Sequence, residues 1–403
     1  MSINVNNFIE KLIWVMAIFL VASFSIFDKN VYISLIIAAI TISIFFLDAL
    51  ANNYKIHFKL SKYHLWGISF AAYCLLSSLW AINPRYSFAK GLSIIQIIVC
   101  MSVLYNHYCK DFQLKSLLSI VEYSGYVIAL YFISFLGLSS VKSSLLLGSR
   151  MEDAFANVNG IGMACAISLV VYVYFALYES QGNLIKLPFV IVTTVVIAVT
   201  ASRTALLGFI IGCFCLLFFR FATKNIIMTF LRWIAIGILL FGLLFLAISL
   251  DLFHSLNYRM EGLLALFTGN GSIDHSSWLR LQFIKIGIEQ FLETPFFGIG
   301  IDNARLLLME HFGYTTYLHN NYVELLASGG IVGTVFFYSI YIYILMRVKR
   351  VWYKHAPELT AGLSIMATIL IMDFGDISYY SKTTYFYLLT GYIIVTKASK
   401  AED

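Results

Sequence analysis

Twelve apolar windows of about 15–25 residues recur along the chain, near 8–27, 31–50, 64–81, 91–108, 117–138, 160–178, 187–202, 204–219, 226–250, 330–346, 360–375 and 383–397. A helix that crosses a bilayer needs about 20 apolar residues. In hydrocarbon every backbone amide must be satisfied internally, so such runs can only be helices or strands of a closed barrel. Barrel strands alternate apolar and polar residues, and these runs do not. Composition agrees, because 60% of residues are hydrophobic and only 12% charged, against about 25% charged in soluble domains. A cytosolic enzyme, a nucleic-acid binder and a disordered chain are thereby excluded. The expected fold is an all-α polytopic membrane protein with about 12 transmembrane helices.

An even number of spans puts both termini on one side. Basic residues favour the cytoplasmic loops. Placing both termini inside assigns 16 of the 27 Lys and Arg residues to inner segments and only 7 to short outer loops. The expected location is the plasma (inner) membrane with cytoplasmic termini. Met1 to Phe27 has one Lys11 and no small-residue cleavage site, so it reads as a first span and not a signal peptide.

One connection is long. Residues 251–329 separate the ninth and tenth spans and fall outside the cytoplasm by the same count. Within it, Trp278 to Phe291 reads as a helix preceded by Asp274, Ser276 and Ser277 and stopped at Thr294-Pro295. Asn321 to Ser328 reads as a second, short helix closed by Gly329-Gly330. The chain therefore divides into spans 1–9 (1–250), a large extracytoplasmic helical loop (251–329) and spans 10–12 (330–403). No internal repeat is visible, which weighs against an inverted-repeat transporter.

Charge deep in the spans is scarce, with Glu122 and Asp373 the main cases; each is either functional or a polar contact near an interface. The outer side is richer. Arg203 lies between two short spans, where a guanidinium beside a helix N-terminus can hold a phosphate or can simply snorkel to headgroups. Arg280 stands in the first turn of the loop helix, against the helix dipole, which calls for an anionic ligand or a neighbouring acid. His319 precedes the second loop helix, with Asn320 beside it and Glu324 one turn on. A histidine, with an ordinary pKa of about 6.5, suits a general base, although a lone histidine is more often structural. The six cysteines have no ligand or disulfide spacing, and no metal or cofactor site is expected.

Taken together, these positions resemble the O-antigen ligase and Wzy-type polysaccharide polymerase superfamily. Its ligases carry a His-[Asn/Ser/Gln]-x9-Gly-x-x-[Gly/Thr/Tyr] pattern in the large outer loop, matched here by His319, Asn320, Gly330 and Gly333. Pro295-Phe-Phe-Gly-Ile-Gly300 is similar to the family's Pro-x-x-Gly-x-Gly turn, with Arg280 the expected distance before it. Ser202-Arg203-Thr204 resembles the element bearing the membrane-edge arginine. Arg150 with Phe155-Ala-Asn-Val-Asn-Gly160 resembles an Arg…Phe-x-Asn-Pro-Asn stretch, with Val158 in place of proline, which leaves Asn157 and Asn159 weaker matches. The resemblance covers about residues 145–345.

What it implies is a metal-independent, inverting glycosyl transfer on the outer face of the membrane. The donor would be a glycan on undecaprenyl pyrophosphate, held by Arg203, Arg280 and Arg150. His319 would be the catalytic base, with weaker substrate contacts from Asn320, Glu324 and Asn159. The acceptor is either another glycan, for a polymerase of O-antigen or capsule, or lipid A-core, for a ligase. Asp302-Asn303 and the His319–Glu324 run look more like polymerase versions. Partners implied are membrane lipids and chain-length regulator proteins. A lipid-linked oligosaccharide flippase is the remaining alternative; it would need a charged central cavity and no large outer loop.

Overall fold

The computed structural model describes residues 5–28, 30–51, 60–110, 114–147, 157–179, 183–221, 226–249, 275–351 and 357–400. Every regular element among them is helical. In chain order these are α1 (Val5–Ile26), α2 (Val31–Ala51), α3 (Lys62–Leu76), α4 (Pro84–Lys110), α5 (Leu114–Leu136), α6 (Leu138–Leu147), α7 (Val158–Tyr178) and α8 (Leu187–Thr200). They continue as α9 (Arg203–Arg220), α10 (Ile226–Ser249), α11 (His275–Glu293), α12 (Ala304–Phe312), α13 (Asn321–Val351), α14 (Pro357–Met372) and α15 (Lys382–Lys400), with short 3-10 turns at Ser77–Leu79 and Asn183–Lys186.

Each of the twelve apolar windows falls on a helix. Six helices (α1, α4, α5, α7, α9 and α13) are long and apolar enough to cross a membrane. Shorter apolar stretches lie in α2, α10 and α14 and over Leu184–Thr200, which includes α8. The helices α3 and α15 meet neither description, because Lys, His, Ser and Thr dilute them. So the structure is that of a helical membrane protein with six such spans among the described residues.

Several details differ from the sequence reading. The loop helix α11 begins at His275, so Ser276 and Ser277 lie inside it and Arg280 is its sixth residue, in the second turn. Asp274, with the rest of 250–274, lies outside the described residues. Two helices were not anticipated, α6 and α12. The second had a signal: Asn303 precedes it and Gly313, left-handed at φ 76°, closes it. The expected short helix 321–328 does not end at Gly329-Gly330. It runs on as α13 through a bend at Gly330 (φ 61°, ψ −168°), a conformation open essentially only to glycine.

The chain packs as two compact units. The first comprises Met1–Ile56, Asp111–Gly271 and His355–Met372; the second, His57–Lys110, Ser272–Lys354 and Asp373–Asp403. This grouping follows packing, whereas the division at 250 and 329 followed membrane side.

In the first unit, α7 is the central helix, against α5, α8, α9 and α14. Glu122, the deep acid of α5, is fully buried and pairs with Lys186 Nζ at 2.8 Å and the Tyr126 hydroxyl at 2.8 Å. A buried charge persists only when paired in this way, so Glu122 reads as a structural contact.

In the second unit, α11, α12 and the start of α13 enclose their own apolar core, which includes Phe283, Leu307, Leu308, Leu318 and Val323. Gly287 lets α11 approach closely, since a Cβ there would meet Val323 at 2.5 Å. The 295–300 turn docks on the α13 bend through Ile331 N–H to Pro295 O (2.8 Å), Val332 N–H to Phe296 O (3.1 Å) and Ile299 N–H to Ala327 O (3.1 Å). It also meets the α3–α4 turn: Ile82 N–H donates to Ile299 O at 3.2 Å, Asn83 N–H to Asn303 Oδ1 at 2.7 Å and Ser87 Oγ to Ile301 O at 2.7 Å. Segments far apart in sequence thus form one rigid platform.

Candidate functional site

His319 sits at the tip of this platform, immediately before α13. Its backbone is left-handed (φ 54°), which is uncommon for a residue with a Cβ. The surroundings hold it there. Leu318 N–H, on one side, donates to Glu324 Oε2 at 2.9 Å, and Glu324 is 1% exposed. On the other side, Asn320 Oδ1 accepts from Val323 N–H at 3.1 Å and caps the helix. The imidazole is half-buried. It stacks on Phe283 of α11 (centroids 6.2 Å apart, planes 12° apart) and meets Tyr317 at 4.2 Å.

Arg280 is one turn before Phe283, so it rises from the same face of α11 that carries the histidine. Its charge acts on Tyr317, whose hydroxyl is also hydrogen-bonded to Asp376. Burial first, and then the Asp376 charge, raise the Tyr317 pKa well above the ordinary phenol value. Tyr317 therefore stays a neutral donor near neutral pH. The structure brings together His319, Arg280, Asn320 and Glu324, and adds Tyr317 and Asp376. Asn320 Oδ1 and Glu324 Oε2 are committed to the backbone that positions His319.

The 373–381 segment closes the same cluster, and Asn321 ties it down. Asn321 Oδ1 accepts from Ser378 N–H (2.9 Å) and Tyr379 N–H (3.1 Å), while its Nδ2 donates to the Tyr338 hydroxyl at 2.9 Å. Asp373, the second deep acid, accepts from Tyr338 at 2.8 Å. These partners make Asp373 a clamp between α13 and the segment that carries Asp376.

Arg203 belongs to the first unit. The α8–α9 turn is only Ala201-Ser202, with Ala201 left-handed (φ 45°) and Ser202 Oγ accepting from Ala205 N–H at 3.3 Å. Arg203 is therefore the first residue of α9 and is 7% exposed. The turn rests on Gly162 of α7, where a Cβ would come within 2.7 Å of Thr200 Oγ1 and 3.3 Å of Ser202 Cβ. Asn159 is buried in the first turn of that helix, after Asn157, whose side chain accepts from Gly160 N–H at 3.2 Å as its N-cap. Without a proline at 158, the helix simply starts at its capped end. Arg150 lies outside the described residues.

Sequence reasoning missed Lys90, Arg305, Tyr317, Asp376 and Tyr380. Lys90 Nζ is 3.3 Å from Asp302 Oδ2 and 3.5 Å from the Tyr380 ring centroid, and Arg305 also pairs with Asp302. Their positions carry no local spacing pattern, because they come from separate elements: α4, α12, the stretch before α13 and the 373–381 segment. One signal was available in the sequence: the charge rule expects few basic residues in the segments it assigns to the outer side, and Lys90 and Arg305 fall in two of those segments.

An O-antigen ligase family model matches residues 188–338. The match spans less than half of the chain and includes Arg203, Arg280, His319, Glu324 and both glycine motifs. No curated protein matches the chain. The chain is thus similar to the O-antigen ligase family over this region, which supports a membrane glycan-ligase type of function.

Proposed function

We propose that this protein transfers a glycan from undecaprenyl pyrophosphate to a sugar hydroxyl at the outer face of the plasma membrane, with both termini cytoplasmic. The acceptor oxygen attacks the anomeric carbon from the face opposite the leaving group. The carbon–oxygen bond to pyrophosphate breaks, and the lipid pyrophosphate keeps the electron pair. His319 takes the acceptor's proton. Arg280 and Arg203 offset the charge that develops on the leaving group, aided by Arg150, so no metal is needed. Asn159 is assigned a lesser role beside Arg203.

The observation that carries this reading is the His319 site itself. A histidine held in a costly backbone conformation by Glu324, Asn320 and Phe283, next to an arginine, is far more organised than loop structure requires. Polymerisation of O-antigen or capsule repeat units is the first form of the reading. Ligation to lipid A-core is the second, favoured by the ligase description of the matching family. Membrane lipids surround either reaction, and a chain-length regulator would accompany the polymerase.

Alanine at Arg280 or at Arg203 is expected to abolish most transfer while leaving the protein inserted and folded. Lysine should restore only part, because a point charge lacks the planar fork of arginine. Transfer by purified protein from a lipid-linked glycan measures this. Near-normal transfer in both alanine variants would remove the arginines from the mechanism.

The orientation is tested separately. In a background without native cysteines, a cysteine at exposed Glu293 should react with a membrane-impermeant maleimide in spheroplasts, and one at exposed Lys349 should not. The opposite pattern would place the site in the cytoplasm.

A further inference from the structure

Among the described residues, three without a glycine's freedom have positive φ: Ala201, Asp302 and His319. Backbone strain of this kind clusters at functional positions. Ala201 leads into Arg203, and His319 is the assigned base. The third, Asp302 at φ 66°, has no part in the transfer reading.

Asp302 is buried between two cations from different elements. Lys90, of α4, approaches Oδ2 at 3.3 Å with its side chain 15% exposed; Arg305, of α12, donates to Oδ1 and is 29% exposed. Each carboxylate oxygen is thus used once. Glu324 also lies within electrostatic reach of both cations, but its Oε2 accepts from Leu318 N–H. The Arg305 Nε–H, in contrast, is buried and has no acceptor. Its guanidinium lies 5.2 Å over the half-buried ring of Tyr86. A cation in the first turn of a helix also opposes the helix dipole. The Arg305 Nε is itself shielded, so an outside group would meet the 29% of the side chain that is exposed.

We propose that Arg305, with Lys90 and Asp302 fixing its position, is an anion subsite that receives the carboxylate of an acidic sugar in the glycan substrate. This rests on the transfer reading and names a substrate class for it. Asp302 offsets one of the two positive charges, and among the described residues Glu324 forms no ion pair with either cation. What remains suits a singly charged carboxylate and not a diphosphate. Tyr86, beneath the guanidinium, offers a ring on which the sugar's C–H face can pack.

The test uses the full-length purified protein and two soluble probes, a glucuronate-containing oligosaccharide and its carboxyl-reduced neutral counterpart. Calorimetry should give about tenfold tighter binding of the acidic probe, the scale of one charge-assisted hydrogen bond. Arg305→Gln should remove most of that preference and Arg305→Lys should keep part of it, with melting curves reporting that each variant is folded. Equal binding of the two probes by the parent protein overturns the proposal, whatever the variants do. A preference that survives Arg305→Gln in a folded protein overturns it as well. Inorganic pyrophosphate binding with the same dependence on Arg305, and displacing the acidic probe, would assign the subsite to a diphosphate instead. Transfer is read in parallel: an Arg305-dependent acid preference without any transfer from a lipid-linked donor would sink the glycosyltransferase reading and leave the anion subsite standing.

Discussion

Replacing His319 with alanine is expected to lower glycan transfer by roughly 10²–10⁴-fold, the usual contribution of a positioned general base. Binding of the lipid-linked donor should persist, because in the proposed mechanism the pyrophosphate is held by the arginines and not by His319. Alanine alone confounds two effects, since histidine and asparagine are enriched at left-handed positions and alanine is not. Asparagine separates them. It accepts the left-handed conformation more readily, so His319→Asn should keep the loop and its melting temperature yet lose transfer to the same extent. Transfer by the parent protein should also decline on acidification, as the base becomes protonated and cannot accept the acceptor's proton. Chelator should leave the rate unchanged, because the proposed mechanism offsets the leaving group's charge with arginines. Full transfer by His319→Asn would reduce the residue to a stacking partner of Phe283.

The second large effect concerns the fold beneath the site. Alanine at Gly330 is expected to destabilise the protein by about 2–6 kcal/mol, from backbone strain and overpacking together. The added Cβ would come within 2.4 Å of Phe296 C and O and 2.6 Å of Phe297 N. These are backbone atoms and cannot swing aside. The α13 bend would have to straighten or the 295–300 turn would have to leave it, and either change disturbs the support of His319. Gly313 is the natural control: it too is left-handed, at φ 76°, but a Cβ there meets nothing within 4 Å. Gly313→Ala should therefore cost only about 1–2 kcal/mol. Melting of the two variants in detergent, beside the parent, checks the contrast. Equal stability of the Gly330 and Gly313 variants would show that the bend tolerates a side chain.

Gly330 also explains part of the glycine pattern after His319. Gly330 makes the bend, and Gly333 lets α13 approach Tyr73, whose ring carbon would lie 2.7 Å from a Cβ at that position. The Tyr73 hydroxyl then donates to Gly329 O. A spacing that reads in the sequence as a signature is, physically, the geometry of one helix bent over a turn and packed on α3.

From its sequence alone, this chain determined that it is helical and membranous, where each apolar helix lies, and which histidine and arginines to examine. Hydrophobicity and helix period are local properties, so a window of about 20 residues contains them in full. The glycine and proline motifs were also legible, because turn chemistry is local. The tertiary structure alone decided the company those residues keep. Lys90 on α4, Arg305 on α12 and Tyr380 in the 373–381 segment are separated by scores of residues, and only packing places them around Asp302. Glu324 and Asn320 look like ligand-binding groups in the sequence, yet their side chains hold the backbone around His319. Glu122 and Asp373 look like intramembrane charges, yet each has found a partner. The physical reason is the same throughout. A side chain's polarity is written at its own position, but the groups that satisfy it are recruited across the fold, and their sequence separation carries no pattern.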